Sequence, residues 1–376
     1  MKKRKALQFV LIILLFLIIG FFTGYFLADS ILYLKKTGYT TGEILLSLGG
    51  ILLILFMSVL LQIILHEAGH LLFGWISGYR FLSFRIGSFM WLKKDGGIRF
   101  ARLKIAGTGG QCLMGPPDLT EGKFPYILYN LGGSIINLLS APIFLMLLFL
   151  LASGPFLSVF LILAAAIGIV FALMNGIPLK LAQVNNDGYN VLSLGKNPEA
   201  LKAFWLQLKV TEQMTKGVRL KDMPDEWFAM PSDKAMKNGI IAAVGVFACN
   251  RLMDAMELEK ADDTIAELLQ MDTGINELHR RLLIVDQVYC ELVGKNRQER
   301  LSRLLTKQQI RFMKSMKTFP SVLRTEYTYA LLKENDNKKA SKIKDEFEKM
   351  GAYYPYPQEI ESERELMELA EQKSLI

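Results

Sequence analysis

The feature that most constrains this 376-residue chain is a set of long segments without any charged side chain. One runs from Ala6 to Ala28, a second from Ile44 to Leu65, and a third from Phe124 to Leu179. A helix needs about 20 apolar residues to cross a bilayer, so the third segment can hold two helices separated by the turn signal Ser153-Gly154-Pro155. The sequence therefore predicts about four membrane spans.

Composition divides the chain into two parts. With 51% hydrophobic and 21% charged residues, it is too apolar for an ordinary soluble enzyme and too charged to lie wholly in a membrane. Residues 1–195 contain 15 Lys/Arg and 7 Asp/Glu, whereas residues 196–376 contain 29 of each. The net charge of +8 thus lies beside the apolar segments, where it indicates membrane topology rather than nucleic-acid binding.

The basic residues also predict an orientation. Four precede the first span and eight lie between Tyr79 and Lys123, but only Lys35 and Lys36 lie in the loop between the first two spans. Because cytosolic loops carry the excess of Lys and Arg, both termini are expected in the cytosol. Residues 1–42 are predicted to be a signal-anchor span and an external loop. The Lys-rich start and the lack of targeting signals favour a multi-pass protein of the bacterial plasma membrane.

A short β-structure is predicted after the second span. Between Arg80 and Gly110 apolar and polar residues alternate, and Asp95-Gly96-Gly97 is a plausible hairpin turn. Ile98 and Phe100 are out of register with Leu103 and Ile105, which indicates a bulge. The Gly/Pro-rich residues 107–117 are expected to be irregular. A small membrane-associated β-hairpin follows.

The composition of residues 196–376 is typical of a soluble α-helical domain. Three helix pairs are predicted, with turns near Glu259, Gly294 and Asn335. This spacing is compatible with a tetratricopeptide-like stack, and an irregular helical bundle fits as well. Such a cytosolic domain could recruit substrates, bind a protein partner or self-associate.

The second span contains the sequence His66-Glu67-Ala68-Gly69-His70. Residues four apart lie on one face of a helix, so both imidazoles can reach one metal ion, with the Glu67 carboxylate beside them. Only three histidines occur in the chain, and ionisable groups in hydrocarbon cost about 2.5 to 3.5 kcal/mol each. The pattern predicts a zinc site with Glu67 close enough to bind the metal's water, whereas His279 is expected to be an ordinary surface or packing residue.

A catalytic zinc site needs one more protein ligand. No acid occurs between Phe124 and Asn186, so the first candidate after the last span is Asp187, followed by Gly188, which permits a sharp turn. Asp187 is therefore predicted as the third ligand. The alternative is that Asp187 only caps a loop.

These residues resemble the site-2 protease family of intramembrane zinc metalloproteases, over about residues 44–195. The resemblance rests on the His66–His70 motif, on Gly132-Gly133-Ser134-Ile135-Ile136-Asn137, and on Asn175-Gly176-Ile177-Pro178 before Asp187-Gly188. One departure is that Gly follows Asn175 where Pro is common. Another is that twelve positions separate Asn175 from Asp187, more than in the compact form of the motif.

The resemblance implies that His66, His70 and Asp187 bind Zn²⁺, that Glu67 is the catalytic base, and that Asn137 contacts substrate. Asn137 could instead bond across packed helices. The implied fold is mainly α: a polytopic membrane helix bundle with a hairpin whose edge pairs with an unwound substrate, followed by a cytosolic helical domain. The metalloprotease core is predicted over residues 43–195.

The predicted function is that of a zinc-dependent endopeptidase that cleaves a membrane-embedded or membrane-associated protein or peptide by metal-activated water. The alternative is a catalytically silent membrane scaffold that acts through its C-terminal helices. A silent relative has no need for a carboxylate beside the metal, which favours the enzyme. A metal transporter would need further His or acid residues along the other spans, and the sequence has none there.

Overall fold

The structure is a computed structural model that describes residues 32, 36, 38–94, 96–103, 105, 108–151, 154–179 and 186–375. The predicted first span lies outside the described residues. The chain forms two compact units. Of the described residues after Thr37, the first unit contains 38–77, 126–179 and 186–192, and the second contains 78–125 and 193–375.

The first unit contains three helices that are long and apolar enough to cross a membrane: α1 (Thr41–Ile76), α2 (Ile127–Leu151) and α3 (Pro155–Gly176). They correspond to the second, third and fourth predicted spans. Helix α1 begins with a capping box, in which the Thr40 hydroxyl accepts from the Glu43 amide and the Glu43 carboxylate accepts from the Thr40 amide. The described chain thus confirms three of the predicted segments as helices that are long and apolar enough to cross a membrane.

The predicted hairpin is part of a larger sheet. Strands β1 (Arg80–Ile86), β2 (Phe89–Lys94), β3 (Gly97–Arg102) and β4 (Gly110–Gly115) form an antiparallel sheet in the order β3-β2-β1-β4. The turn between β2 and β3 falls where Asp95-Gly96-Gly97 predicted it, and Gly96 has a φ of 77°. The prediction of a two-stranded hairpin was therefore right about the turn and too small in extent.

Two details of the β-structure prediction were wrong. Residues 107–117 were expected to be irregular, yet β4 pairs along β1 and buries Cys112 and Met114. The register shift lies opposite β4, between Phe81 and Ser83, and not near Ile98. β4 begins and ends with glycine, so the alternation of its buried residues Cys112 and Met114 is too short to predict a strand from the sequence. The strand is recognised by its pairing with β1.

The sheet belongs to the second unit. The Arg80 guanidinium bonds the Glu212 carboxylate at 3.1 Å, and the Arg102 amide donates to the Tyr353 carbonyl. The compact units therefore divide the chain differently from the predicted boundary at residue 195, because residues 78–125 group with the C-terminal helices. A short helix, α4 (Asp187–Lys196), follows the membrane spans.

The rest of the second unit is helical, as its composition predicts. Its helices are α5 (Pro198–Thr215), α6 (Gly239–Asp254), α7 (Leu258–Gln270), α8 (Glu277–Val293), α9 (Gln298–Leu304), α10 (Lys307–Ser315), α11 (Pro320–Leu332), α12 (Asn337–Gly351) and α13 (Pro357–Ser374). Short 3₁₀ turns lie at Leu220–Asp222, Asp225–Phe228 and Ala235–Lys237.

The three predicted helix pairs are α6/α7, α8/α9 and α11/α12. Each pair turns at a residue with positive φ: Met256 (59°), Asn296 (48°) and Asn335 (53°). These positions are 40 and 39 residues apart, which is more regular than the sequence pattern suggested. A repeated helix pair fits this spacing, and its identity as a tetratricopeptide repeat stays a prediction.

Candidate metal centre

The three predicted ligands converge in the first unit. The His66 Nε2 atom lies 3.2 Å from His70 Nε2 and 3.3 Å from Asp187 Oδ2, and His70 Nε2 lies 3.6 Å from the same carboxylate oxygen. A tetrahedral zinc ion with ligands at about 2.0 to 2.1 Å requires ligand atoms about 3.3 Å apart. The three separations match the edges of such a tetrahedron.

Asp187 reaches this position through its neighbour Asn186. The Asn186 side chain donates to the carbonyls of Met174 and Ile177 at the end of α3 and accepts from the amides of Leu179 and Tyr189. It therefore caps α4 and ties its first turn to α3. Asp187 is the first residue of α4, where the positive end of the helix dipole favours a carboxylate.

Gly188 permits the close approach of α4 to α3. A Cβ atom at Gly188 would lie 2.1 Å from the Gly176 carbonyl oxygen, so the pair tolerates no side chain there. Gly188 was predicted to permit a sharp turn, but it lies within α4, where its lack of a side chain allows this contact. Asn175, the other residue of that motif, donates to the Phe171 carbonyl within α3.

The crossing of α1 and α2 is equally close. A Cβ at Gly69 would lie 2.3 Å from the Gly132 carbonyl oxygen, and one at Gly132 would lie 2.4 Å from the Gly69 oxygen. A Cβ at Gly133 would lie 2.5 Å from the His66 ring. The Gly132-Gly133 pair therefore lets two backbones meet at the metal motif and leaves room for one imidazole.

Both imidazoles are oriented through their other nitrogen. The His66 Nδ1 atom lies 2.7 Å from Asn137 Oδ1, and the His70 Nδ1 atom lies 2.7 Å from the Tyr129 carbonyl oxygen. Because both partners are acceptors, each Nδ1 carries the proton and donates it. The Nε2 lone pairs are then directed toward each other and toward Asp187.

This arrangement fits a cation. Two imidazole lone pairs and a carboxylate oxygen face one another, and Asp187 Oδ2 is buried without a hydrogen-bond donor in the described part of the chain. Three electron-rich atoms within 4.8 Å repel one another unless positive charge lies between them. Two nitrogens and one carboxylate oxygen are a typical ligand set of catalytic zinc.

Gln62 is a residue of the site that sequence reasoning missed. Its carbonyl oxygen accepts from Asn137 Nδ2 at 2.6 Å, and its amide donates to the Ala164 carbonyl at 2.7 Å and to Ser140 at 3.2 Å. Gln62 thereby fixes the Asn137 amide so that its oxygen faces His66. The signal in the sequence was a lone amide in an apolar helix, one turn before His66 on the same face.

Asn137 and Glu67 are both buried in the described structure. Asn137 is fully buried and bonds across the packed helices, which agrees with the second of its two interpretations, and its contact with substrate stays a prediction. Glu67 lies on α1 between His66 and His70 in the sequence and is 7% exposed. His279, which was not expected to be a ligand, lies in the second unit on α8.

Comparison of the chain with protein-family models, with curated proteins and with solved structures finds no match in any of the three.

Proposed function

We propose that this protein is a zinc-dependent endopeptidase that acts within the membrane on a membrane-embedded or membrane-associated protein or peptide. The observation that carries the proposal is the convergence of His66 Nε2, His70 Nε2 and Asp187 Oδ2 in a unit built from apolar helices. Two imidazoles and one carboxylate leave a fourth tetrahedral position open, as catalytic zinc sites do.

The cost of placing these groups in hydrocarbon supports a catalytic role. Each ionisable side chain there costs about 2.5 to 3.5 kcal/mol, so a site without function would be selected against. A purely structural zinc site closes all four positions with protein ligands and needs no adjacent acid. Glu67, next to His66, is the acid that hydrolysis requires.

Zinc held by His66, His70 and Asp187 would act as a Lewis acid and lower the pKa of water at the open position. Glu67, next to His66 in the sequence, would be the residue that accepts a proton from the attacking water and donates one to the leaving amine. Asn137 and the Tyr129 carbonyl hold the two rings, so that neither imidazole rotates away during turnover. The residues of the chain thus supply binding, orientation and proton transfer.

The membrane adds a condition on the substrate. Peptide bonds in a membrane helix are shielded by their own hydrogen bonds, so the substrate must unwind locally before a carbonyl can be attacked. The proposed location is the cell membrane, with both termini in the cytosol as the basic residues predict. A bacterial plasma membrane is the proposed setting.

The decisive comparison is between cells that carry the wild-type protein and cells that carry Glu67→Gln. We expect uncut membrane proteins or precursors to accumulate with Glu67→Gln, because the metal ligands remain and the base is lost. Glu43→Gln is the matched control, since Glu43 is the other acid of α1 and lies exposed in its first turn. Its membrane proteome should equal the wild type.

Equal membrane and secreted-peptide profiles for wild type and Glu67→Gln would overturn the enzyme assignment and favour the silent scaffold. Accumulation in Glu43→Gln as well would mean that changes in α1 act through folding. Expression and membrane insertion of all three proteins are measured in parallel.

A further inference from the structure

The second unit encloses a cavity of about 520 Å³ that the metal site does not use. Its walls come from the sheet side at β4, from helices α5, α6 and α8, and from the segment that leads into α13. This volume falls in the range of about 300 to 1,000 Å³ that is typical of ligand sites. Much of the lining is apolar and includes Leu113, Phe204, Phe247, Leu282, Phe319 and Leu366.

Four carboxylates are also part of this lining. Asp254, Asp286, Glu359 and Glu363 all contribute to the wall, and Arg219 is the only guanidinium among the described residues that line it. A lining that combines apolar side chains with several acids favours a ligand with both apolar and cationic groups.

The arginines near the cavity are already engaged. Arg219 binds Asp254 at 2.7 Å and Glu365 at 2.5 Å, and the buried Arg324 binds Asp286 at 2.7 Å and Glu363 at 2.8 Å. Each guanidinium therefore holds two carboxylates.

Glu359 is the acid without a cation. The Tyr354 hydroxyl donates to it at 3.2 Å, and no Lys, Arg or His of the described chain forms an ion pair with it. With Glu359, five carboxylates face two guanidiniums and the Lys221 ammonium, which lies 4.0 Å from Glu365, an excess of two negative charges when all are ionised. Burial and the neighbouring Glu363 carboxylate raise the pKa of Glu359 to about 8. A bound cation would relieve this repulsion.

Gln358 provides an independent observation beside Glu359. It is 93% buried and lines the cavity, and its amide nitrogen donates to the Met214 carbonyl. Its carbonyl oxygen has no hydrogen-bond partner in the described structure. A buried amide oxygen without a donor costs about 1 to 3 kcal/mol, and an ammonium or guanidinium donor would satisfy it.

We propose that this cavity binds a short peptide segment that carries a Lys or Arg side chain among apolar residues, with Glu359 and the Gln358 carbonyl as the cation's acceptors. The occupant is the cytosolic flank of the membrane substrate, because cytosolic flanks of membrane helices are rich in Lys and Arg. The identity of the occupant as substrate rests on the proposed proteolytic function. The binding chemistry of the cavity does not.

The test uses the full chain with Glu67→Gln in nanodiscs of neutral lipid, so that binding is measured without cleavage. The probe is a fluorescent hexapeptide with two lysines among leucines and serines. Its binding is measured by fluorescence anisotropy, and nanodiscs without protein are the reference. A matched peptide has glutamates in place of the lysines. We expect saturable binding of the lysine peptide and at least tenfold weaker binding of the glutamate peptide.

Glu359→Gln in the same background locates the site. It keeps the shape and removes the charge, and we expect binding of the lysine peptide to weaken about tenfold, the effect of losing one charge-assisted hydrogen bond. The control is Glu361→Gln, which removes an exposed acid of the same helix outside the cavity and should change binding less than twofold.

Equal affinity for the two peptides, absence of saturable binding, or equal effects of the two substitutions would each overturn the assignment. These outcomes are separate from the fate of the metal centre. A protein that contains no zinc and still binds the lysine peptide through Glu359 would contradict the proposed protease and leave the binding site standing.

Discussion

The two units both bury polar side chains, but with different chemistry. In the first unit the buried groups around the candidate metal centre are mostly neutral amides and imidazoles. A series of hydrogen bonds connects Ala164, Gln62, Asn137 and His66, and each donor in it has an acceptor. In the second unit several of the buried polar groups are charged, and Arg324 binds two carboxylates at once. Neutral networks suit a unit of apolar helices, because ions are costly in hydrocarbon, whereas the second unit buries ions that are mostly paired.

The comparison also shows where each network is left incomplete. In the first unit one incomplete position is the set of three electron-rich atoms from His66, His70 and Asp187. In the second unit one is Glu359 with the Gln358 carbonyl. Because unpaired buried groups are costly, a ligand at either position would restore the balance.

The largest effect is expected from Asp187→Asn. The substitution removes the charge that lies against both Nε2 atoms, and we expect stoichiometric zinc to fall to background with complete loss of cleavage. Metal content of the purified protein is the measurement. Asp233→Asn, at an exposed position of the second unit, should keep its zinc. Equal zinc in both variants would contradict the ligand assignment.

Gly132→Ala tests whether the packing of α1 against α2 builds the site. Its methyl group would lie 2.4 Å from the Gly69 carbonyl oxygen, so the helices must separate, at a cost of about 1 to 3 kcal/mol. We expect a lower thermal stability of the first unit and weaker zinc binding. Gly49→Ala is the matched control in α1, because no described atom lies within 4 Å of its added Cβ. An unchanged Gly132→Ala protein would contradict the close crossing.

Gln62→Leu tests the hydrogen bonds that connect Gln62, Asn137 and His66, and it leaves the three candidate metal ligands unchanged. Loss of the Gln62 carbonyl frees the Asn137 amide to rotate, and changes of this kind typically lower metal affinity or activity by about 10- to 100-fold. Zinc affinity, measured by competition with a chelator, should fall in this range. Ser140→Ala removes a weaker contact at 3.2 Å and should have a smaller effect. Equal affinity for Gln62→Leu and wild type would show that Asn137 holds His66 unaided.

The smallest effect is a pH dependence of the second unit. The pKa of Glu359 is raised to about 8, from 4.5 in the unfolded chain, so the folded state binds more protons between these values. Stability therefore falls as the pH rises through this window, and Glu359→Gln should remove part of the fall. Hydrogen exchange of the α13 amides in the full-length protein, compared at pH 6 and pH 8.5, measures it. A fall that is identical in the variant would contradict the raised pKa.

Glu291 provides the opposite sign in the same unit. Arg297 and Arg300 lower its pKa to about 2, so its contribution is present above about pH 4.5 and is lost as the pH falls toward 2. Glu291→Gln should weaken protection of the α8 amides at pH 6 and have little effect near pH 2. A larger effect at the acidic end would reverse the expected sign.

Most residues of the candidate metal centre were predictable from their spacing and their order in the sequence. His66, Glu67 and His70 share one helix, and Asp187 is the first acid after the last span, so periodicity and order were enough to select them. The apolar segments predicted three described helices for the same reason, since length and composition act locally.

The contacts that were missed depend on residues far apart in the sequence. Gln62 meets Asn137 and Ala164 across 75 and 102 positions, and β4 is recognisable only by its pairing with β1. The association of the sheet with Glu212 and Tyr353 could not be inferred from alternation alone. Asn186 is an exception, because Asn is a common N-cap residue and stands directly before Asp187. Its capping of α4, which positions Asp187, could have been predicted from the sequence.

The central claim is that two imidazole nitrogens and one carboxylate oxygen hold a single zinc ion within the membrane unit. X-ray absorption at the zinc edge of the purified full-length wild-type protein tests it most directly. We predict one zinc per chain with only nitrogen and oxygen ligands at about 2.0 to 2.2 Å, of which two are imidazoles. Substoichiometric zinc, or sulfur in the first coordination sphere, would contradict the account.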